Sequence, residues 1–262
     1  MPLRDKAEDP QTLLAALENA RAHDVPWKSG QAFGYVFETG ADAQALGKQA
    51  YASCLTENGL DPTAFPSYRT LENDIMGWAL DQTHGPDGSV GTFTSGGTES
   101  ILLAVKAARD YAKKHRPGFD RYELVLPVTA HAAFHKAAHY FELDVVLTEV
   151  DPASFRAKPE AIAAAITERT AMVVVSSPSF AHGVVDPVEE VAKVCREKNL
   201  WLHTDACVGG WLLPYFRAEG NDVPAYDFSV EGVWSMSMDL HKYAFCAKGA
   251  SVVLFRSAEL RR

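Results

Sequence analysis

From Val90 to Phe255 the chain alternates short apolar runs with stretches in which apolar residues recur every three or four positions. The runs VGTF (90–93), YELVLP (122–127), DVVLTEV (144–150), AMVVVSS (171–177), LWLHTD (200–205), VWSMSM (233–238) and SVVLF (251–255) are rich in β-branched and aromatic residues. Such runs predict strands, and strands covered on both faces. The longer periodicity between them predicts helices over 98–114, 131–141, 159–167 and 187–198. Strand and helix in alternation imply βαβ units: an α/β fold with a mainly parallel (mixed) sheet and helices on both faces. Before residue 90 the pattern predicts helices over 11–23 and 41–57. An aromatic, Gly-rich loop, DVPWKSGQAFGYVFETG, lies between them. A further helix, capped by Ser67, carries Leu71, Ile75, Trp78 and Ala79. The expected organisation is an N-terminal helical and loop segment (1–65) followed by a large α/β domain (66–262).

Composition narrows the function. The 262 residues are 47% hydrophobic and 23% charged, enough to bury a sizeable core. The net charge of −9, without a long basic run, argues against nucleic acid or an anionic membrane as partner. The four cysteines, Cys54, Cys195, Cys207 and Cys246, form no CxxC pair and suit free thiols in a reducing compartment. The charged start MPLRDKAEDP has no apolar core of a secretory leader. No run approaches the roughly 20 apolar residues of a membrane span. The expected location is cytoplasmic.

The candidate chemistry falls at predicted strand ends, where open α/β sheets bind ligands. In GTFTSGGTES (91–100) a strand runs through Gly96-Gly97-Thr98 into a helix. Close backbone approach and a helix N-terminus make an anion site, although a Gly-rich turn with a Thr cap has the same sequence. In LHTDACVGG (202–210), Asp205 ends an apolar strand, either as a helix cap or as counter-ion to a protonated ring nitrogen. His131, His135 and His139 are spaced to share one helical face. Metal binding there lacks a carboxylate or thiolate beside it, and His131 stacked on a flat ligand is the alternative. Lys242 sits in SMSMDLHKYAFCAKGAS (235–251), among Met, Leu, Tyr, Ala and Phe. An apolar pocket is expected to lower its pKa and make the amine a nucleophile toward carbonyls. His241 beside it adds a donor for an anion. Pyridoxal 5′-phosphate needs all of these parts. It requires an amine for its aldehyde (Lys242), a carboxylate for its pyridinium (Asp205), a phosphate cradle (Gly97, Thr98) and a flat partner (His131).

The blocks TSGGTESI, AHAAFHKAAHYF, HGVVDPVEEVAKV, LHTDACVGGWL and SMDLHKYAFCAKGAS resemble fold type I pyridoxal-phosphate enzymes of the group II decarboxylase-like branch, and within it the lyases of phosphorylated sphingoid bases. The resemblance implies that Lys242 bonds to the cofactor aldehyde, Asp205 pairs with the ring nitrogen and His131 stacks on the ring. It also implies that Gly97, Thr98 and His241 serve the cofactor phosphate. The activity implied is cleavage of the C2–C3 bond of a β-hydroxy amine, a small-molecule substrate, by a homodimer. Lys248, Asn58 and Tyr35 carry over as substrate contacts. Two positions depart from the lyase pattern: Phe37 stands where the pattern has Tyr, and Asp61 where it has His. An Asp would repel a substrate phosphate. The resemblance also expects a C-terminal small domain, which is absent from this chain. Two other readings stay open: an amino-acid α-decarboxylase, and a cofactor-binding domain without turnover.

Overall fold

The computed structural model describes residues 7–261. The chain divides into two compact units, Met1–Glu38 and Thr39–Arg262. The first unit holds helix α1 (Pro10–Ala20) and a 3₁₀ turn at Trp27–Ser29. Asp9 caps α1 by accepting from the Thr12 N–H at 3.0 Å.

The second unit opens with α2 (Ala41–Ser53) and α3 (Pro66–Gln82). Ser67 does not cap α3. Pro66 takes the first helical position after Phe65, so the serine lies inside the first turn. Seven strands follow in chain order: β1 (Val90–Thr94), β2 (Glu123–Pro127), β3 (Asp144–Thr148), β4 (Thr170–Ser176), β5 (Trp201–Asp205), β6 (Val233–Met238) and β7 (Ser251–Phe255). The connecting helices are α4 (Gly97–His115), α5 (Ala133–Tyr140), α6 (Pro159–Ala165), α7 (Val188–Glu197) and α8 (Leu213–Ala218). The sequence pattern does not indicate α8. It is a six-residue helix with Pro214 in its first turn, too brief for periodicity to register.

The sheet order is β1-β7-β6-β5-β4-β2-β3. Neighbours from β6 to β3 are parallel, while β7 runs antiparallel to both β1 and β6. It is a mixed, mainly parallel sheet, as the alternation predicts. Every residue of β2, β4, β5 and β7 is buried, which accounts for their unbroken apolar runs. One face packs on α4 and α5 through Trp201, Phe134, Ile101 and Val174. The other meets α3, α6 and α7 through Leu202, Val175, Val191 and Ile162. Each such side chain, fully buried, contributes about 1.5–3 kcal/mol. In α4 the buried Ile101, Ala104, Val105, Ala108 and Ala112 recur at helical spacing, and the small alanines let the helix lie close to the sheet. At the N-terminal edge, Arg169 joins Glu123 and Asp144, and Arg121 joins Asp144 at 2.7 Å. These charges are paired with one another. The opposite edge is left for chemistry.

Candidate active site

At that opposite edge the parallel register sets Ser176 beside Asp205, and Asp205 beside Ser237. A cavity of about 350 Å³ opens there, and Gly97, Thr98, His131, Asp205, His241 and Lys242 all line it. Six expected site residues, drawn from positions 97 to 242, therefore meet in one place. Asp239, Cys207, Phe180 and Glu99 line it too.

The anion cradle comes from the start of α4. Gly96 provides no side-chain cap, so the amides of the first turn have no capping side chain. A Cβ at Gly97 would stand 2.7 Å from both Asp239 carboxylate oxygens and 3.0 Å from Cys207 Sγ. Only glycine fits this approach. The second pair, Gly209-Gly210, serves packing: a Cβ at Gly209 would stand 2.1 Å from the Ser177 carbonyl oxygen. Glu99 accepts from Ser95, through its N–H at 2.6 Å and its hydroxyl at 2.7 Å. Those two bonds, the hydroxyl first, hold the Glu99 carboxyl below its usual range.

Both cavity histidines have a fixed orientation. His131 Nδ1 accepts from the Ala133 N–H at 3.1 Å, and His241 Nδ1 accepts from the Ala250 N–H at 3.2 Å. Each neutral ring therefore carries its proton on Nε2. His131 precedes α5, which begins at Ala133, so it does not share a helical face with His135 and His139 as the spacing suggests. Its ring lies edge-on to Phe180, 5.4 Å between centroids. Among the described residues no group of three His, Cys, Asp or Glu side chains stands close enough to hold a metal ion.

Lys242 Nζ lies 3.0 Å from Asp239 Oδ2, and His241 Nε2 lies 3.6 Å from the same oxygen. The expectation of a lowered lysine pKa is corrected here. Burial alone would push the amine down, but the charge and hydrogen bond of Asp239 and the charge of Asp205 oppose it, and the net shift is upward. Burial keeps the Cys207 thiol protonated far above its ordinary range, so at neutral pH the working partners are the two carboxylates. Asp239 Oδ1 is buried and has no hydrogen-bond partner among the described residues, a costly arrangement for an oxygen beside an anion cradle.

The expected substrate contacts are less concentrated. Lys248 Nζ donates to the His241 carbonyl at 3.3 Å. Burial, then the charge of Lys242, lowers its pKa. Asn58 Oδ1 accepts from the Leu60 N–H at 3.1 Å in an exposed turn and does not line the cavity. Tyr35 lies in the first unit and is exposed. Sequence reasoning missed Asp239, Cys207, His203 and Ser237. For His203 and Ser237 a signal existed: polar residues at every second position of WLHTD and VWSMSM place a polar stripe on one face of two buried strands.

An amine, an oriented carboxylate, an uncapped helix N-terminus and a glycine-only cradle, gathered at the strand ends of a mixed α/β sheet, define a pyridoxal-phosphate type of cofactor domain. The chain belongs to the pyridoxal-dependent decarboxylase family, whose conserved-domain model matches residues 2–260. It is 39% identical to sphingosine-1-phosphate lyase of Dictyostelium discoideum over all of this chain and 49% of that protein. It is 40% identical to sphingosine-1-phosphate lyase 1 of Rattus norvegicus over 95% of this chain and 44% of that protein. A solved sphingosine-1-phosphate lyase from Burkholderia pseudomallei superposes with a TM-score of 0.94 at 34% identity, covering 100% of this chain and 62% of that one. The chain thus spans about half the length of the curated relatives it matches.

Proposed function

We propose that this chain is the cofactor-binding part of a pyridoxal-phosphate-dependent carbon–carbon lyase. Its substrate is a β-hydroxy amine such as a phosphorylated sphingoid base, cleaved between C2 and C3. The observation that carries the reading is the convergence of Lys242, Asp205 and the Gly97 cradle on one cavity. When bound, the cofactor supplies an electron sink for the pair left on the substrate's C2. The first-turn amides of α4, the Thr98 hydroxyl and His241 Nε2–H would hold the phosphate. Asp205 would pair with the ring nitrogen, and His131 would stack on the ring. Lys242 Nζ would be the amine for the cofactor aldehyde, and it holds a proton at the cavity wall beside Asp239. Lys248 lies close enough to Lys242 for their charges to interact, which suits a role toward the substrate's anionic end.

The finer assignments belong to the same proposal. Residues 66–262 form the large cofactor domain. The working unit is a homodimer in a reducing, cytoplasmic compartment, which the four free cysteines favour. A second reading is amino-acid α-decarboxylation, which uses the same cofactor constellation; one residue weakens the first reading without establishing this one. Asp61, at the position of a His in the lyase pattern, is held as an anion by the Thr63 hydroxyl and N–H, at 2.7 and 2.8 Å. A substrate phosphate is disfavoured near such a charge.

The test is borohydride treatment of the chain loaded with pyridoxal phosphate, followed by peptide mapping, then incubation with a sphingoid-base phosphate or with amino acids. Label on Lys242 and release of a long-chain aldehyde support the lyase. Carbon dioxide instead supports the decarboxylase. Label scattered over surface lysines rejects the site.

A further inference from the structure

Beneath Asp205 lies a chain of buried polar groups that do not line the cavity. β5 carries Trp201, His203 and Asp205 on one face, and β6 carries Ser235 and Ser237 opposite them. The register pairs His203 with Ser235 and Asp205 with Ser237. The contacts run in sequence. Trp201 Nε1 lies 2.8 Å from Ser235 Oγ, and Ser235 Oγ lies 2.8 Å from His203 Nδ1. His203 Nε2 lies 3.2 Å from Ser237 Oγ, and Ser237 Oγ lies 3.2 Å from Asp205 Oδ1.

The two ends fix the direction of every proton. The Trp201 indole only donates, and a carboxylate only accepts. Ser237 has one hydroxyl proton, which goes to Asp205 Oδ1 rather than to the neutral Cys207 thiol beside it, because the carboxylate is the stronger acceptor. Its oxygen must then accept, so His203 Nε2 carries hydrogen. His203 Nδ1 is left as an acceptor and takes the Ser235 proton, while the Ser235 oxygen takes the Trp201 N–H. Each donor is used once. The reverse order would set the hydroxyl lone pairs of Ser237 against the carboxylate. His203 is fully buried, and its ring meets Phe134 edge-on at 5.8 Å, so it has no room to reorient. Asp205 Oδ1 also accepts from the Cys207 N–H at 3.1 Å. Its Oδ2 takes no partner among the described residues, and Asp205 lines the cavity.

We propose that His203, fixed as the Nε2–H tautomer, and Ser237 are positioning residues that occupy Asp205 Oδ1 from within the sheet and so present Oδ2 to a cationic ring nitrogen in the cavity. Aligned donors of this kind polarise one another toward the carboxylate. The order of protons stands on the cofactor-free chain. Only the role toward the ring nitrogen rests on the pyridoxal-phosphate reading.

The first test needs no cofactor. In protein labelled with ¹⁵N-histidine, the resonances lost in H203Q identify His203. We expect a neutral ring protonated on Nε2, and an N–H proton signal that moves upfield in S237A. A proton on Nδ1, or an N–H signal unmoved by S237A, overturns the inference. The second test measures pyridoxal phosphate affinity in H203F, which keeps the ring's shape but donates nothing, and in H203Q, which restores a donor. We expect about tenfold weaker binding in H203F and recovery of most of it in H203Q. Equal affinity of H203F and wild type overturns the positioning role, provided thermal unfolding shows H203F folded. If the wild type itself binds no pyridoxal phosphate, the functional reading fails and the tautomer result still decides the hydrogen-bond order.

Discussion

Acidification offers a quantitative check on the buried chain at Asp205. Burial pushes the His203 pKa down from 6.5 to about 4, with the neighbouring Asp205 opposing the shift. The folded value lies below the unfolded one, so between them the unfolded chain binds more protons. The stabilisation is present above 6.5 and is lost as pH falls toward 4. At about pH 5 the unfolded imidazole is nearly all protonated and the folded one about one-tenth so, a difference of roughly 2 kcal/mol relative to about pH 7.5. With an m value of about 3 kcal/mol/M, the urea midpoint falls by roughly 0.7 M. The assay is equilibrium urea unfolding of wild type and H203Q at both pH values. The variant retains the other shifted groups, including His241, lowered mainly by burial, and Asp186, raised by burial. The difference between the two slopes therefore isolates His203. Midpoints that fall in parallel in the two proteins would refute the argument, because they would mean that the folded chain protonates this histidine as easily as the unfolded one.

Two further outcomes follow from the cavity wall. In D239N the Lys242 amine loses one of the charges that hold its pKa up, so capture of pyridoxal phosphate is expected to accelerate at neutral pH, about tenfold for each pH unit the amine falls. Stopped-flow absorbance across a pH series checks this, and an unchanged profile counts against Asp239 as the controlling partner. In G97A the new methyl meets both Asp239 oxygens, whose side chain is buried. We expect a loss of about 1–3 kcal/mol in stability together with weaker cofactor binding, read by thermal unfolding and titration. Unaltered affinity would remove Gly97 from the cradle.

The sequence by itself determined the strands and most helices of the α/β unit, because side-chain periodicity is a local property and buried strands have unbroken apolar runs. It also singled out Lys242, Asp205, Gly97, Thr98, His131 and His241, each marked by a residue type unusual for its setting, and the structure gathers all six around one cavity. Tertiary structure decided what depends on neighbours distant in the chain. The order and register of β5 and β6 set His203 against Ser235 and Ser237 against Asp205, a relation that neither strand states alone. The sign of the Lys242 shift was decided in the same way. Its local apolar sequence suggests a lowered amine, but Asp205 arrives from β5, and Asp239 is turned onto the lysine by the loop after β6. A pKa sums every charge within reach, and that sum is fixed only when the sheet is assembled.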